Sequence, residues 1–344
     1  MNAGQAGFCL LESENLRDTQ TRRFFVMQII TVQPGESALQ NAIDSLPADG
    51  TPAVIRLAPG EYREKVELRR PNTTIEGAGA DKTRIVWADA ATTILPDGVK
   101  RGTFRTYTFL VLADGCTLRG LTIENAAAPR ESVGQCIALF ADGDLFTCED
   151  VTLLSAQDTL FTAPLPPREV IPGGFIGPTQ MLPRKAQRHT YRRCTIKGDV
   201  DFIFGGAAAW FEDCDIVSIN AYTDGRVPGG YATAASTPEG QKYGYVFRHC
   251  RFLAGEGVPD GCMYLGRPWR EFAKTVLIGC EIGAHIKPAG WDDWGKPVFH
   301  EAGFYAEYGC YGPGSGTAGR AAFARVLTED EAAGYTYENF MESL

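Results

Sequence analysis

The sequence predicts an all-β chain built as a parallel β-helix, a solenoid with short flanking helices and long loops. Three observations carry that prediction. A β-rich triplet recurs along the chain: Leu121-Thr122-Ile123, Val151-Thr152-Leu153, Cys194-Thr195-Ile196, Cys214-Asp215-Ile216, Cys250-Arg251-Phe252 and Cys280-Glu281-Ile282. Each triplet runs from a small or branched apolar residue through a polar one to an aliphatic or aromatic one. The closest pair of triplets is 20 residues apart and the others 30 to 43, which suits one coil of a stacked repeat with insertions at its corners. The 39 glycines demand many turns, and Asn-Gly hairpin signals are missing between the triplets. An antiparallel sandwich with evenly spaced strands is the competing architecture.

Along the chain, residues 1–27 read as an N-terminal extension, either disordered or a mis-assigned start, and residues 28–344 as a single β-helix domain. The apolar stretch Gly7–Leu11 is too short for the core of a secretion signal, and Glu12 and Glu14 follow it directly. The expected location is therefore cytoplasmic, with secretion as the alternative. Ala38–Leu46 has helical apolar spacing, Val54–Leu57 reads as a strand, and Pro59-Gly60 turns the chain. Thr162–Arg188 holds six prolines and four basic residues (Arg168, Arg184, Lys185 and Arg188), so it cannot be a regular rung. It is expected to wall a cleft, to offer positive charge there and to be dispensable for folding. The acidic segment Leu327–Leu344 permits helix and is expected on the solenoid's flank.

Composition excludes several functions. A net charge of −9 argues against nucleic acid or an anionic membrane as partner, and would repel a polyacid unless it were partly neutralised. No run of 18 apolar residues is present to suggest a membrane span. The ten cysteines form no C-x-x-C and no zinc-like cluster with histidine, so no metal site is expected and free, buried thiols are.

The chemistry lies in three stretches: Gln157-Asp158-Thr159-Leu160, Gly198-Asp199-Val200-Asp201-Phe202-Ile203-Phe204-Gly205, and Leu265-Gly266-Arg267-Pro268-Trp269. An ionisable group among Phe and Ile is expensive to bury unless it is paired or used. On neighbouring rungs, Asp158 and Asp201 would stand about 5 Å apart, the strand spacing. Carboxylates that close cannot both ionise cheaply, so one becomes an acid and the other a nucleophile. Asp199 shares a strand face with Asp201, and the residues alone do not say which one attacks. Arg267 can clamp a carboxylate bidentately. Gln135 and Gln157 are amides in apolar strands, able to donate to an oxyanion. The spelling Gly314-x-Gly316-x-x-Gly319 lacks a βαβ context, no G-x-S-x-G is present, and Trp291 and Trp294 read as core packing, with a sugar-stacking surface as the alternative.

These stretches, with Gly60-Glu61-Tyr62-Arg63-Glu64, resemble the motifs of the pectin methylesterases, carbohydrate esterases of the bacterial type with a right-handed parallel β-helix. The resemblance spans roughly Ile29 to Tyr337. It implies Asp201 as nucleophile, Asp158 as general acid and then base, Gln135 and Gln157 as oxyanion donors, and Arg267 as the group orienting the nucleophile. It further implies substrate contacts at Trp269, Phe202, Thr108 and Phe161, the last standing where many members carry Tyr. Asp199 replaces a Thr common in plant members. Cys194 and Cys214 match a pair bridged in some members, although free thiols are expected here.

The implied reaction removes methyl esters from pectin or oligogalacturonides without a cofactor, in a monomer that binds neither nucleic acid nor membrane. Two rivals stand beside it: a β-helical polygalacturonase or lyase, and a non-catalytic polysaccharide-binding solenoid.

Overall fold

A computed structural model describes residues 11–17 and 24–344 as a right-handed parallel β-helix of three sheets. Among the described residues the sheets hold 12, 8 and 7 strands, and every pairing between successive coils is parallel. One antiparallel pair closes the N-terminal edge, Leu11–Arg17 against Phe24–Val32, so the boundary expected at residue 28 falls within a strand.

The recurring triplets are the rungs of the 8-stranded sheet. Their third residues stack in register as Ile123, Leu153, Ile196, Ile216, Phe252 and Ile282, with Tyr62 and Ile85 continuing the ladder toward the N-terminus. All are buried, whereas the middle residues face outward, where Asp215 pairs with Arg251 across one rung at 2.6 Å. Alternation along each strand thus puts one apolar side chain per coil inside, directly above its equivalent. The 12-stranded sheet does the same with rings: Tyr191, Phe211 and Phe247 stack nearly parallel at 4.6 and 4.4 Å. Cys194, Cys214, Cys250 and Cys280 sit inside at the first triplet position, and all nine described cysteines are free thiols. Cys9 lies outside the described residues.

Helix Ala38–Ser45 packs Leu39, Ala42 and Ile43 onto the first strands of the solenoid. Its own cap position, Ser37, is left-handed and makes no side-chain cap. Glu64 substitutes from a distance, its carboxylate accepting from the Leu39 and Gln40 amides at 3.0 and 2.9 Å. Tyr62, in the same motif, donates to the carbonyls of Val32 and Ala58. The Glu64→Ala variant should therefore lose about 1–2 kcal/mol of stability, the cost of an uncapped helix start. Denaturant unfolding would read this, and an unchanged midpoint would show that water replaces the carboxylate.

At the other end, short helices Glu329–Ala333 and Tyr337–Met341 lie on the outer face of the 12-stranded sheet. Phe340 is fully buried there against Trp210 and Tyr243. Thr328 and Glu331 close a capping box at the start of the first of these helices.

Candidate active site

Strands Leu160–Thr162 and Ile203–Gly205 are neighbours in the 7-stranded sheet, with Leu160 opposite Ile203 and Phe161 opposite Phe204. Asp158 and Asp201 each precede their strand by two residues, so both occupy the same corner one rung apart. The Asp158 amide donates to Val200 at 3.0 Å and the Leu160 amide to Phe202 at 2.9 Å, which locks the register. Both aspartates adopt positive φ, 65° and 49°, a bend that Asp tolerates better than a branched residue would. The glycines of the second stretch serve this corner. A methyl on Gly198 would lie 2.2 Å from the Phe202 Cβ, and one on Gly205, at φ 127°, would lie 2.0 Å from the Thr162 carbonyl.

Arg267 follows strand Tyr264–Gly266, two rungs beyond Asp201. It grips the Asp201 carboxylate with two bonds, Nε to Oδ1 at 2.9 Å and Nη2 to Oδ2 at 2.6 Å. Its guanidinium lies between the rings of Tyr231 and Trp294, at 4.1 and 3.9 Å from their centres. The two rings cover much of the guanidinium, and Asp201 takes its Nε–Nη2 edge.

The two acids are thereby separated in proton affinity. Burial, then the neighbouring Asp201 charge, pushes Asp158 well above the usual carboxylate range. Burial also raises Asp201, and the Arg267 guanidinium offsets part of that rise. Asp158 has no such cation bonded to it among the described residues, so of the two it is the better suited to hold a proton and Asp201 to carry the charge.

Gln135 and Gln157 come together through a parallel bridge, and the Cys136 amide donates to the Gln157 carbonyl at 3.0 Å. Both side chains are partly exposed beside the acids. The Gln157 Oε1 accepts from Arg130 Nη2 at 3.1 Å, which turns its NH₂ group away from Arg130. Five residues named from the sequence, Gln135, Gln157, Asp158, Asp201 and Arg267, therefore gather at one place.

The expected substrate contacts divide. Trp269 is half-buried at the rim, its ring 5.7 Å from Phe204, 6.0 Å from Phe175 and 6.4 Å from Phe104. Phe161 lies on this same outer face but is fully covered by Phe104, Phe140 and Phe204, so it supports the floor instead of lining it. Phe202 points the other way, into the solenoid interior beside Ile203, because it precedes the strand and the positive φ of Asp201 breaks the alternation there. Thr108 is also fully buried and donates to the Glu124 carbonyl at 2.9 Å. Neither Phe202 nor Thr108 can reach a ligand in this arrangement.

Sequence reasoning also missed residues. Trp294, read as packing, is 45% exposed and roofs Arg267, whereas Trp291 is buried as expected. Lys296 donates to the Pro268 and Trp269 carbonyls, both at 2.8 Å, and holds the turn that carries Trp269. Arg130 gave no signal at all, since Pro-Arg-Glu reads as a solvated loop. Among the described residues no cluster of His, Cys, Asp or Glu is arranged to hold a metal.

The proline-rich insertion does border the cleft. With Ser236, Trp269, Arg270 and Lys296, its Arg168 and Glu169 line a cavity of about 540 Å³. Of its other cations, Arg184 bonds the carbonyls of Thr179, Gln180 and Leu182, Arg188 bonds Asp144 and the Met341 carbonyl, and Lys185 is exposed at a different cavity. The insertion is not separable from the fold, since Leu165 and Phe175 are buried in the aromatic cluster under Trp269. This burial runs against the expectation that the loop is dispensable for folding, while Arg168 keeps one of its positive charges at the cavity.

Comparison with known proteins agrees with this geometry. The Pectinesterase family model matches residues 32–165 and 175–343, skipping only a stretch inside the insertion. A probable pectinesterase/pectinesterase inhibitor (number 64) of Arabidopsis thaliana is 32% identical over 89% of this chain. The chain spans 48% of that relative's length. Among solved structures, the pectin methylesterase PemA of Erwinia chrysanthemi superposes with a TM-score of 0.73 at 29% identity, covering 91% of this chain and 97% of its own. A pectin methylesterase in complex with a hexasaccharide superposes at 0.70 with 30% identity, covering 88% and 92%. No helix among the described residues is long and apolar enough to cross a membrane.

Proposed function

The chain belongs to the pectinesterase family of ester hydrolases, and on that footing we propose that it removes methyl esters from galacturonate units of pectin or oligogalacturonides by way of a covalent aspartyl intermediate. The observation that carries this reading is the division of labour at one corner. An arginine-clamped Asp201 stands one rung from Asp158, which burial and the Asp201 charge push toward its protonated form, with two amides beside them.

In the first step an Asp201 oxygen bonds to the ester carbon, and charge moves onto the carbonyl oxygen. Gln135 and Gln157 donate to that oxyanion. As the tetrahedral species collapses, the bond to methoxide breaks and Asp158 supplies the proton that releases methanol. Asp158, now ionised, takes a proton from water, and the hydroxide attacks the acyl-enzyme anhydride. The product leaves as the acid and gives its proton to solvent, with Asp201 restored as carboxylate and Asp158 again protonated. No electron transfer or metal enters this balance.

Substrate placement rests on Trp269, half-buried at the rim, and Trp294, exposed over Arg267, whose rings suit the apolar face of a sugar. We read the protein as a monomer. The nine free thiols favour a reducing, cytoplasmic setting, and secretion remains the alternative.

The direct test is methanol release from methylated oligogalacturonides of graded length, with reducing ends and unsaturated products measured in parallel. Methanol without chain cleavage is the expected result. New reducing ends or unsaturated products in its place would assign a glycosidase or a lyase, and binding without any product would leave a carbohydrate-binding solenoid.

The raised Asp158 also makes a prediction about stability. An unfolded aspartate titrates near about 3.9, and Asp158 holds its proton to higher pH when folded. Its stabilising protonation is complete below the unfolded value and is lost as pH rises through the folded one. Asp158→Asn, neutral at every pH, should therefore unfold at a higher temperature than the parent at pH 7, with the gap closing near pH 4. Thermal unfolding at the two pH values measures this, and a variant less stable at pH 7 would contradict it.

A further inference from the structure

We infer that the buried Asp199–Arg130 pair is a positioning relay that fixes the amide of Gln157 with its NH₂ group toward the reacting carbonyl. The inference rests on the oxyanion role proposed above for Gln157.

Arg130 opens the short helix Arg130–Val133, five residues before Gln135, and is only 9% exposed. Its Nε bonds to Asp199 Oδ2, and its Nη2 donates to Gln157 Oε1 at 3.1 Å. Its guanidinium rests on the ring of Tyr222 at 5.1 Å. Asp199 is 1% exposed, and its amide is tied to the Ala156 carbonyl at 3.0 Å, one residue before Gln157. Its other carboxylate oxygen has no partner in the structure.

The chemistry follows from what each group can do. A primary amide can sit in two orientations that differ by a half-turn and fill the same space. Arginine has donors and no acceptor, so only the orientation with Oε1 toward Arg130 makes a bond; the flipped one sets donor against donor beside a cation. The guanidinium thus removes one of the two states. Because it is charged, it also polarises the amide and strengthens the N–H donors on the far side. Asp199 performs a second task on the same cation. A buried, unpaired arginine would be costly and would turn toward any carboxylate within reach, and Asp158 is close enough to feel its charge. Asp199 satisfies it in place.

A pair whose only role is structural would weaken folding and leave the chemistry of surviving molecules alone. A relay acts through Gln157 and disappears with it. The test is a cycle of Arg130→Gln, Gln157→Leu and the double variant, each assayed for methanol release below its melting temperature. Arg130→Gln should lower kcat by about tenfold or more with KM nearly unchanged, as a misplaced donor does. In the Gln157→Leu background the same change should cost less than about twofold, since nothing remains to position. Arg130→Lys, whose single ammonium cannot fork between Asp199 and Gln157, should fall between and serves if the glutamine variant does not fold.

Equal losses in the two backgrounds would overturn the relay, as would a rise in KM at normal kcat. If Gln157→Leu alone left kcat intact, the oxyanion assignment itself would fail. If Gln157→Leu were crippled but Arg130→Gln and Arg130→Lys were normal, only the relay would be lost.

Discussion

Asp201→Asn should lower kcat by roughly a thousandfold or more, because an amide of the same shape cannot form the acyl intermediate. KM should change little, since the rings of Trp269 and Trp294 are untouched. The variant also separates two readings of the sequence. Asp199 and Asp201 lie two residues apart, and periodicity alone allows either to attack. In the structure Asp199 is buried against Arg130, whereas Asp201 meets Arg267 at the open corner. Asp199→Asn should therefore be much milder than Asp201→Asn. Steady-state methanol release on both variants decides the matter, and a reversed order would mean that the wrong carboxylate has been assigned.

Gln157→Leu should cost on the order of 2.7–4 kcal/mol of transition-state stabilisation, a loss of about 10²–10³ in kcat. The leucine keeps the volume of the side chain and removes its donors. Ground-state binding hardly involves an oxyanion, so KM should stay close to the parent value. A selective rise in KM with normal kcat would make Gln157 a binding residue. Gln135→Leu offers the companion measurement, because its side chain has no guanidinium behind it to fix the amide.

Much of the fold was legible because a solenoid writes its period into the sequence. The triplets from Leu121 to Ile282 are apolar at the positions that stack inside, and the structure aligns their third residues without a slip. The five polar residues of the corner were legible for a related reason: charged and amide groups in apolar strands are conspicuous. What escaped was anything that depends on which side of a strand a ring faces. Phe202 and Phe204 look alike in sequence, yet one fills the interior and the other lies beneath Trp269. A positive φ at Asp201 shifts the face count at that bend, and no periodicity rule anticipates it. Arg130 escaped because a short loop in the sequence says nothing of the coil that it leans against. Trp294 escaped for the opposite reason, since a tryptophan near another is more often packing than not.

The corner that joins Asp158 to Asp201 is set by hydrogen bonds between coils and not by the chain running between them. That chain takes 43 residues and a long detour to climb a single rung. Doubling a flexible detour adds only about 0.6 kcal/mol of closure entropy, so its length outside the part that Leu165 and Phe175 pack under Trp269 is nearly free to drift. Selection can therefore rewrite the walls of the groove by insertion and deletion while the reacting pair stays where the ladder holds it. In this architecture substrate preference and catalytic competence are inherited almost independently, one through the corners and the other through the register.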